Sequence, residues 1–354
     1  MKYDGLRCVP FDHDQGLQEH SFHQESRSAS GHLLIGSNGS GKSNFLESFV
    51  FLSEAEAGRL KDYVARRGGA DRILHFGSKT TSRIDFELFV GNGLILVAHY
   101  LYSANDELAK SEYNLPRMAT LSGVSSKGGA WEGQELASPS YGRYQFRDTG
   151  DSSPLRRTNQ VDDNRSLREH GSNLVAFLYR LSQQYRESYE LIRKTVQNVA
   201  PFFDDFQLAP LAQNSSTIKL EWRHVGADDY FDTSSLSDGT LRFIALATLF
   251  LQPAELRPAV ILVDEPELGL HPYAIELLAS LIRQASRETQ VIAATQSPLL
   301  LDYFEPEDIL VADRVNGATE IRRLEPEPLT EWLRDYSLGQ LWEKGELAGR
   351  PVKE

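Results

Sequence analysis

The stretch Leu33-Leu34-Ile35-Gly36-Ser37-Asn38-Gly39-Ser40-Gly41-Lys42-Ser43-Asn44 decides the fold. Gly36 to Ser43 match the P-loop pattern G-x-x-x-x-G-K-[ST]. The apolar run Leu33–Ile35 predicts a short buried strand, and the amphipathic stretch from Asn44 to about Ala57 predicts a helix. Strand, glycine-rich loop and helix are the context that the pattern needs. Polyphosphate is a dense anion. Gly36, Gly39 and Gly41 carry no Cβ, so backbone amides can turn inward and wrap it. The helix N-terminus adds partial positive charge. Lys42 is a mobile point charge for the β- and γ-phosphates, and the Ser43 hydroxyl suits Mg²⁺. Gly36, Ser37, Asn38, Gly39, Ser40, Gly41, Lys42, Ser43 and Asn44 are thus expected to line a nucleotide's phosphates. The competing reading is a chance glycine-rich turn.

Outward from this loop, 354 residues suffice for two domains or for one domain with a large insertion. Apolar residues make up 40% and charged residues 25%, which permits a real core. The longest strongly apolar run, about Phe243 to Leu251, is too short to span a bilayer. Met1-Lys2-Tyr3-Asp4-Gly5 lacks a signal-peptide apolar region. The single cysteine, Cys8, excludes an internal disulfide and gives no metal-site spacing. A cytoplasmic protein with no membrane partner is expected. A net charge of −13 argues against a generic nucleic-acid coat, so any DNA contact needs a local basic patch or a partner that supplies one. The densest basic stretch is 58–79, with Arg59, Lys61, Arg66, Arg67, Arg72 and Lys79; it reads either as a DNA-facing edge or as a solvated loop and helix face. His13, His20, His23 and His32 fit no common metal spacing and read as part of a polar surface segment.

Alternation over 82–102, with Ile84, Phe86, Leu88 and Val90 on one face and Gly91-Asn92-Gly93 between runs, predicts an antiparallel hairpin. Residues 103–160 are rich in Gly and Ser and read mostly as loops, with a short strand near Tyr144-Gln145-Phe146. A helical period over 165–200, through Leu174, Phe177, Leu178 and Leu181 and on to Tyr189, Ile192 and Val196, predicts a compact helical lid that ends at Pro201. A second hairpin is expected from Ile218 to Trp222, turning at Gly226. From 238 onward helices and strands alternate, which predicts a parallel sheet covered by helices.

Val260-Ile261-Leu262-Val263-Asp264-Glu265-Pro266 is an apolar strand that ends in two carboxylates, the Walker B arrangement. In such sites the first acid, Asp264, holds Mg²⁺ through water and the second, Glu265, polarises the attacking water. The strand Gln290–Thr295 should lie beside the P-loop strand and aim Gln296 at the γ-phosphate. Ser237 and Gly239, in Leu236-Ser237-Asp238-Gly239, begin a helix and offer a second anion-binding terminus without a lysine.

The order of P-loop, Leu236–Gly239, Val263-Asp264-Glu265-Pro266-Glu267 and Thr295-Gln296-Ser297-Pro298 resembles the ABC-type ATPases. The loop Glu267-Leu268-Gly269-Leu270-His271-Pro272 resembles the branch containing SMC, RecF and OLD-type ATPases and the AAA-type ATPases of defence systems. The resemblance covers about 33–100 and 230–325. It implies an α/β ATPase head with an antiparallel side sheet and an inserted helical lid. It also implies ATP and Mg²⁺ as ligands, and a homodimer that sandwiches two ATP molecules, each between one subunit's P-loop and the other's Leu236–Gly239. Catalytic roles fall on Lys42, Glu265 and Gln296, metal contacts on Ser43 and Asp264, and nucleotide contacts across the seam on Ser237, Gly239 and His271. His271 reads equally as the neighbour of a helix N-cap, since Pro272 starts a helix. Many relatives carry His where this chain has Gln296, which cannot become cationic, so slow hydrolysis is expected. The glutamine that contacts the lid in this family is not obvious; Gln145 is the candidate. No long coiled coil and no Toprim nuclease are seen, so any nuclease is expected on another chain.

The expected division is an N-terminal lobe over 1–125, an inserted lid over 126–215 and a C-terminal lobe over 216–354. The expected function is an ATP-hydrolysing dimeric switch that acts on DNA, or on a nuclease or toxin partner, in anti-phage defence or repair. The alternative is an ATP-gated scaffold with little hydrolysis that regulates a partner enzyme. A transporter's energy-coupling subunit is disfavoured by the long, loop-rich gap between Ser43 and Leu236.

Overall fold

The structure, a computed structural model, describes residues 3–9, 31–74, 76–90, 94–103, 106–111, 141–315 and 317–347. The chain forms two compact units, Ala29–Ser43 with Tyr141–Glu354, and Met1–Ser28 with Asn44–Ser140.

The first unit is built on a six-stranded sheet. Its order is Ala318–Arg323, Ile309–Val315, Gly31–Ile35, Gln290–Thr295, Val260–Asp264, Tyr141–Tyr144. All neighbours pair in parallel except the first two, which form an antiparallel hairpin. The central strands are apolar without alternation and buried along their length, as a parallel sheet covered on both faces requires. The P-loop strand sits beside Gln290–Thr295, as expected, with Ile35 opposite Thr295. Loops leaving the ends of these neighbouring strands therefore meet at one edge of the sheet.

The helix Asp238–Leu251 is buried from Thr240 to Leu251 and is largely apolar, with Arg242 its buried charged exception. It packs on Arg186–Val199 and on Pro272–Ala285. The period over 165–200 yields two helices, Leu174–Gln184 and Arg186–Val199, rather than one. Tyr185 leaves helical geometry at φ −134° and ψ 58°, so the chain turns there, and both helices keep their apolar faces inward. The strand expected over Ile218–Trp222 is also split. Asn214–Ile218 pairs with Asn159–Gln160 and Pro210–Leu211, whereas Glu221–His224 pairs with Phe203–Gln207 and Tyr230–Asp232. Ile218, Leu220 and Trp222 are all buried in one core, so the break changes sheet without exposing apolar surface. The turn around Gly226 forms as read, at φ +78°.

The second unit holds a four-stranded antiparallel sheet in the order Tyr3–Val9, Arg83–Val90, Leu94–Ser103, Glu107–Ser111. The expected hairpin is its centre, with Ile84 opposite Tyr100; the turn at 91–93 lies outside the described residues. Phe51, on the helix Lys42–Glu56 that follows the P-loop, stacks on Phe86 at 5.4 Å and meets Tyr100 edge-on at 4.8 Å. Such aromatic pairs add about 1 kcal/mol each beyond area burial. Four of the six cations of the basic stretch are paired within the unit. Arg59 and Arg66 reach Glu54 at 2.7 and 3.3 Å, Lys61 reaches Glu107 at 2.8 Å, and Arg67 bonds Glu47. A DNA-facing edge loses most of its charge by this pairing. His13, His20 and His23 lie outside the described residues, and His32 is buried rather than part of a polar surface.

Candidate functional site

The P-loop leaves the centre of the parallel sheet and runs straight into the helix Lys42–Glu56. Gly39 and Gly41 take φ +82° and +95°, which only glycine adopts without strain. A Cβ on Gly41 would lie 1.8 Å from Thr319 Oγ1, and one on Gly36 would lie 2.6 Å from the Ala312 carbonyl. The edge hairpin thus presses the loop into shape from outside. Lys42 Nζ donates to the Gly36 and Ser37 carbonyls at 2.6 and 3.0 Å. Burial pushes its ammonium below the usual lysine range, while Glu265 and Asp264 pull it back. Ser40 Oγ is buried without a hydrogen-bond partner, an orphaned polar atom inside the loop. Asn38, Ser43 and Asn44 are exposed.

Asp264 ends its strand almost fully buried, at 3% exposure, with Ser43 Oγ 3.5 Å from its Oδ2. The next residue, Glu265, sits at φ +48° and donates its amide to the Ala294 carbonyl at 2.8 Å. Gln296 Nε2 donates to Asn38 Oδ1 at 2.8 Å and to Glu265 Oε1 at 3.3 Å, so it ties the P-loop to the second carboxylate. Glu267 accepts from Thr295 Oγ1 at 2.6 Å, and burial raises its carboxyl above the usual range.

Two further side chains enter the site from the segment after Tyr141–Tyr144. Arg147 Nη2 lies 3.0 Å from Asp264 Oδ2 and 3.2 Å from Glu265 Oε2. The Gln145 amide atom that faces Asp264 Oδ2 at 3.5 Å also receives Arg147 Nε and Nη1 at 3.1 and 3.3 Å, donors that identify it as the oxygen. Gln145 is therefore beside the Walker B acid. Arg147 escaped the sequence reading; its only signal was a cation two positions beyond the candidate glutamine.

Ser237, Gly239 and His271 form a second group, at the N-termini of two helices. Ser237 caps Asp238–Leu251, its Oγ accepting from the Thr240 amide at 3.1 Å. A Cβ on Gly239 would lie 2.8 Å from the Gly269 carbonyl, so the two loops touch through glycines. His271 is the N-cap of Pro272–Ala285, accepting from the Tyr273 amide through Nδ1 at 3.3 Å. Of its two readings, the cap is the one seen within the subunit. Arg242, on the helix that Ser237 caps, donates to the Phe146 and Arg147 carbonyls at 2.8 Å each and bonds the Leu268 carbonyl. Arg156 bonds the Thr233 and Leu236 carbonyls and pairs with Asp238 at 3.0 Å. Arg242 holds loops that lack regular structure, whereas Arg156 ties the short 3-10 turn Thr233–Ser235 to the start of the helix Asp238–Leu251.

The donor set near Asp264 suits a hard cation that arrives with phosphate. A hydroxyl, a carboxylate and an amide oxygen come from Ser43, Asp264 and Gln145, matching the preference of Mg²⁺ for few protein oxygens. Among the described residues, no group of three His, Cys, Asp or Glu is placed to hold a metal by itself.

Solved structures with the same architecture include SMC head domains. One, an SMC head bound to the C-terminal winged-helix domain of ScpA, superposes with TM-score 0.59 at 15% identity, covering 94% of this chain and 100% of the other. Another, an SMC head with an extended coiled coil bound to the C-terminal domain of ScpA from Pyrococcus furiosus, gives TM-score 0.56 at 16% identity, covering 94% and 99%. At these identities the fold is what is shared, and with the loop and strand order above it defines an SMC-like P-loop ATPase fold. Residues 84–302 match the family described as "AAA domain, putative AbiEii toxin, Type IV TA system", and the chain belongs to that family. No curated protein matches the sequence. Among the described residues, no helix is long and apolar enough to cross a membrane.

Proposed function

We propose that the chain binds ATP with Mg²⁺ and hydrolyses it to ADP and phosphate as a dimeric switch. The observation that carries this reading is one constellation: Lys42 in the loop, Ser43 against Asp264, and Gln296 joining Asn38 to Glu265. Lys42 and the loop amides hold the phosphates. Ser43, Asp264 and Gln145 would hold Mg²⁺, which neutralises charge on the β- and γ-phosphates. Glu265 orients the attacking water and accepts its proton, while Gln296 fixes the carboxylate. Ser237 and the amides beyond Gly239, unable to serve as a P-loop themselves, complete the site of a second copy. His271 lies on the same seam.

The partner is proposed to be a second protein chain, a nuclease or toxin, in keeping with the family's description; direct action on DNA is the weaker branch because most of the basic stretch is internally paired. A scaffold reading with little turnover is favoured by a neutral Gln296 and by Arg147 seated on both carboxylates.

The test is the mass in solution of wild type and Glu265→Gln, with and without ATP and Mg²⁺, beside phosphate release with and without linear DNA. A dimer that forms only with ATP, persists in Glu265→Gln and turns over in wild type supports the switch. An assembly indifferent to ATP, with negligible phosphate release, supports the scaffold.

A further inference from the structure

The geometry points to Arg147 as a built-in stand-in for the metal, a positioning residue that holds Asp264 and Glu265 together until the divalent cation displaces it. One guanidinium nitrogen bridges the two carboxylates at 3.0 and 3.2 Å. The same group donates to the Gln145 oxygen. Arg147 therefore contacts two of the three proposed metal-side residues together with the proposed base. Two adjacent carboxylates, one of them buried, repel each other and need a cation near them. Lys42 is turned onto its own loop carbonyls, and Arg143 reaches Asp264 at only 3.8 Å while also facing Glu169 at 3.8 Å. The close bridging charge is that of Arg147.

Its two ends are held differently. The backbone is fixed, because Arg242 on the helix capped by Ser237 grips the carbonyls of Phe146 and Arg147. The side chain is 40% exposed and has room to swing out. A cation of charge two that takes Asp264 Oδ2 repels the guanidinium. Arginine and metal therefore compete for one oxygen, and the outcome sets how much Mg²⁺ the site needs. Because the tether of Arg147 is the helix whose N-terminus is proposed to meet the second copy, movement of that helix shifts the competitor as well.

This inference rests on the proposed metal-side role of Asp264, and the test separates the two. Mn²⁺ is titrated into the full chain with ADP held below the chain concentration, and bound and free Mn²⁺ are followed by paramagnetic resonance, for wild type, Arg147→Ala, Arg147→Lys and Asp264→Asn. Arg147→Ala is expected to bind Mn²⁺ roughly three- to tenfold more tightly than wild type, the scale of losing one charge-assisted competitor. A lysine ammonium can bridge the two carboxylates as Nη2 does but lacks the Nε and Nη1 donors to Gln145, so Arg147→Lys is expected to fall between the two and carries the test if the alanine variant misfolds. A purely structural role predicts weaker binding in both. Unchanged or weaker binding in the arginine variants, with binding lost in Asp264→Asn, overturns the competition alone. Undiminished binding in Asp264→Asn overturns the metal assignment beneath it.

Discussion

Glu265 sits at φ +48°, a left-handed conformation that costs a non-glycine residue about 1 kcal/mol. The strain places its carboxylate between Arg147 and Gln296. Glu265→Gly is expected to match or exceed wild-type thermal stability while phosphate release disappears; a clear drop in melting temperature would mean that the carboxylate's contacts outweigh the strain. Lys42→Ala is expected to lose at least tenfold in ATP affinity by fluorescent-nucleotide titration, and intact affinity would refute the phosphate-binding assignment. His32 has the opposite character: burial beside Arg323 lowers its pKa to about 4. A base depressed in the folded state contributes stability that is fully present above the unfolded value near 6.5 and lost as pH falls towards 4, at most roughly 3 kcal/mol. His32→Gln should flatten that limb in urea midpoints measured across pH; an unchanged limb would place the acid sensitivity elsewhere. Lys42, Ser43, Asp264 and Glu265 were legible because their spacing encodes chemistry. Gln145 was legible only as a position, and Arg147 not at all, because its partners lie on a distant strand and no local pattern records them.

At the scale of elements, the segment Leu236–Gly239 carries the informative changes. Ser237→Ala removes a cap and is expected to cost about 1 kcal/mol in chemical denaturation. Ser237→Arg is expected to leave ATP binding by the monomer intact and to block ATP-dependent dimerisation, which sedimentation with and without nucleotide reads directly. The strands Val260–Asp264 and Gln290–Thr295 and the helices Asp238–Leu251 and Pro272–Ala285 could be read within a residue or two, since their apolar patterns agree with their burial. Elements decided by distant pairing could not. Tyr3–Val9 contains a glycine and charged residues and is a strand because Arg83–Val90 offers it an edge. Ala318–Arg323 is a half-exposed edge strand whose value lies in pressing Thr319 against Gly41. The break at Tyr185 belongs with these: the apolar period runs through it, and only packing shows the turn.

At the scale of the molecule, ATP that binds only the folded chain stabilises it by mass action, about 3 kcal/mol at a hundredfold excess over Kd. Glu265→Gln with ATP and Mg²⁺ is therefore expected to unfold at a higher temperature than without them, and to a degree that rises with protein concentration if closure joins two copies. A shift independent of protein concentration would mean that nucleotide binds without assembly. The parallel sheet has one more consequence, for the order in which the protein is made. Its central strand, Gly31–Ile35, is synthesised long before both its neighbours, Gln290–Thr295 and Ile309–Val315. Contacts so remote in sequence form slowly. During translation the phosphate loop must wait, with its apolar strand unpaired, until the strands Gln290–Thr295 and Ile309–Val315 have left the ribosome. A nascent chain stopped before residue 290 therefore has every loop residue needed to hold a phosphate and no sheet to hold them on.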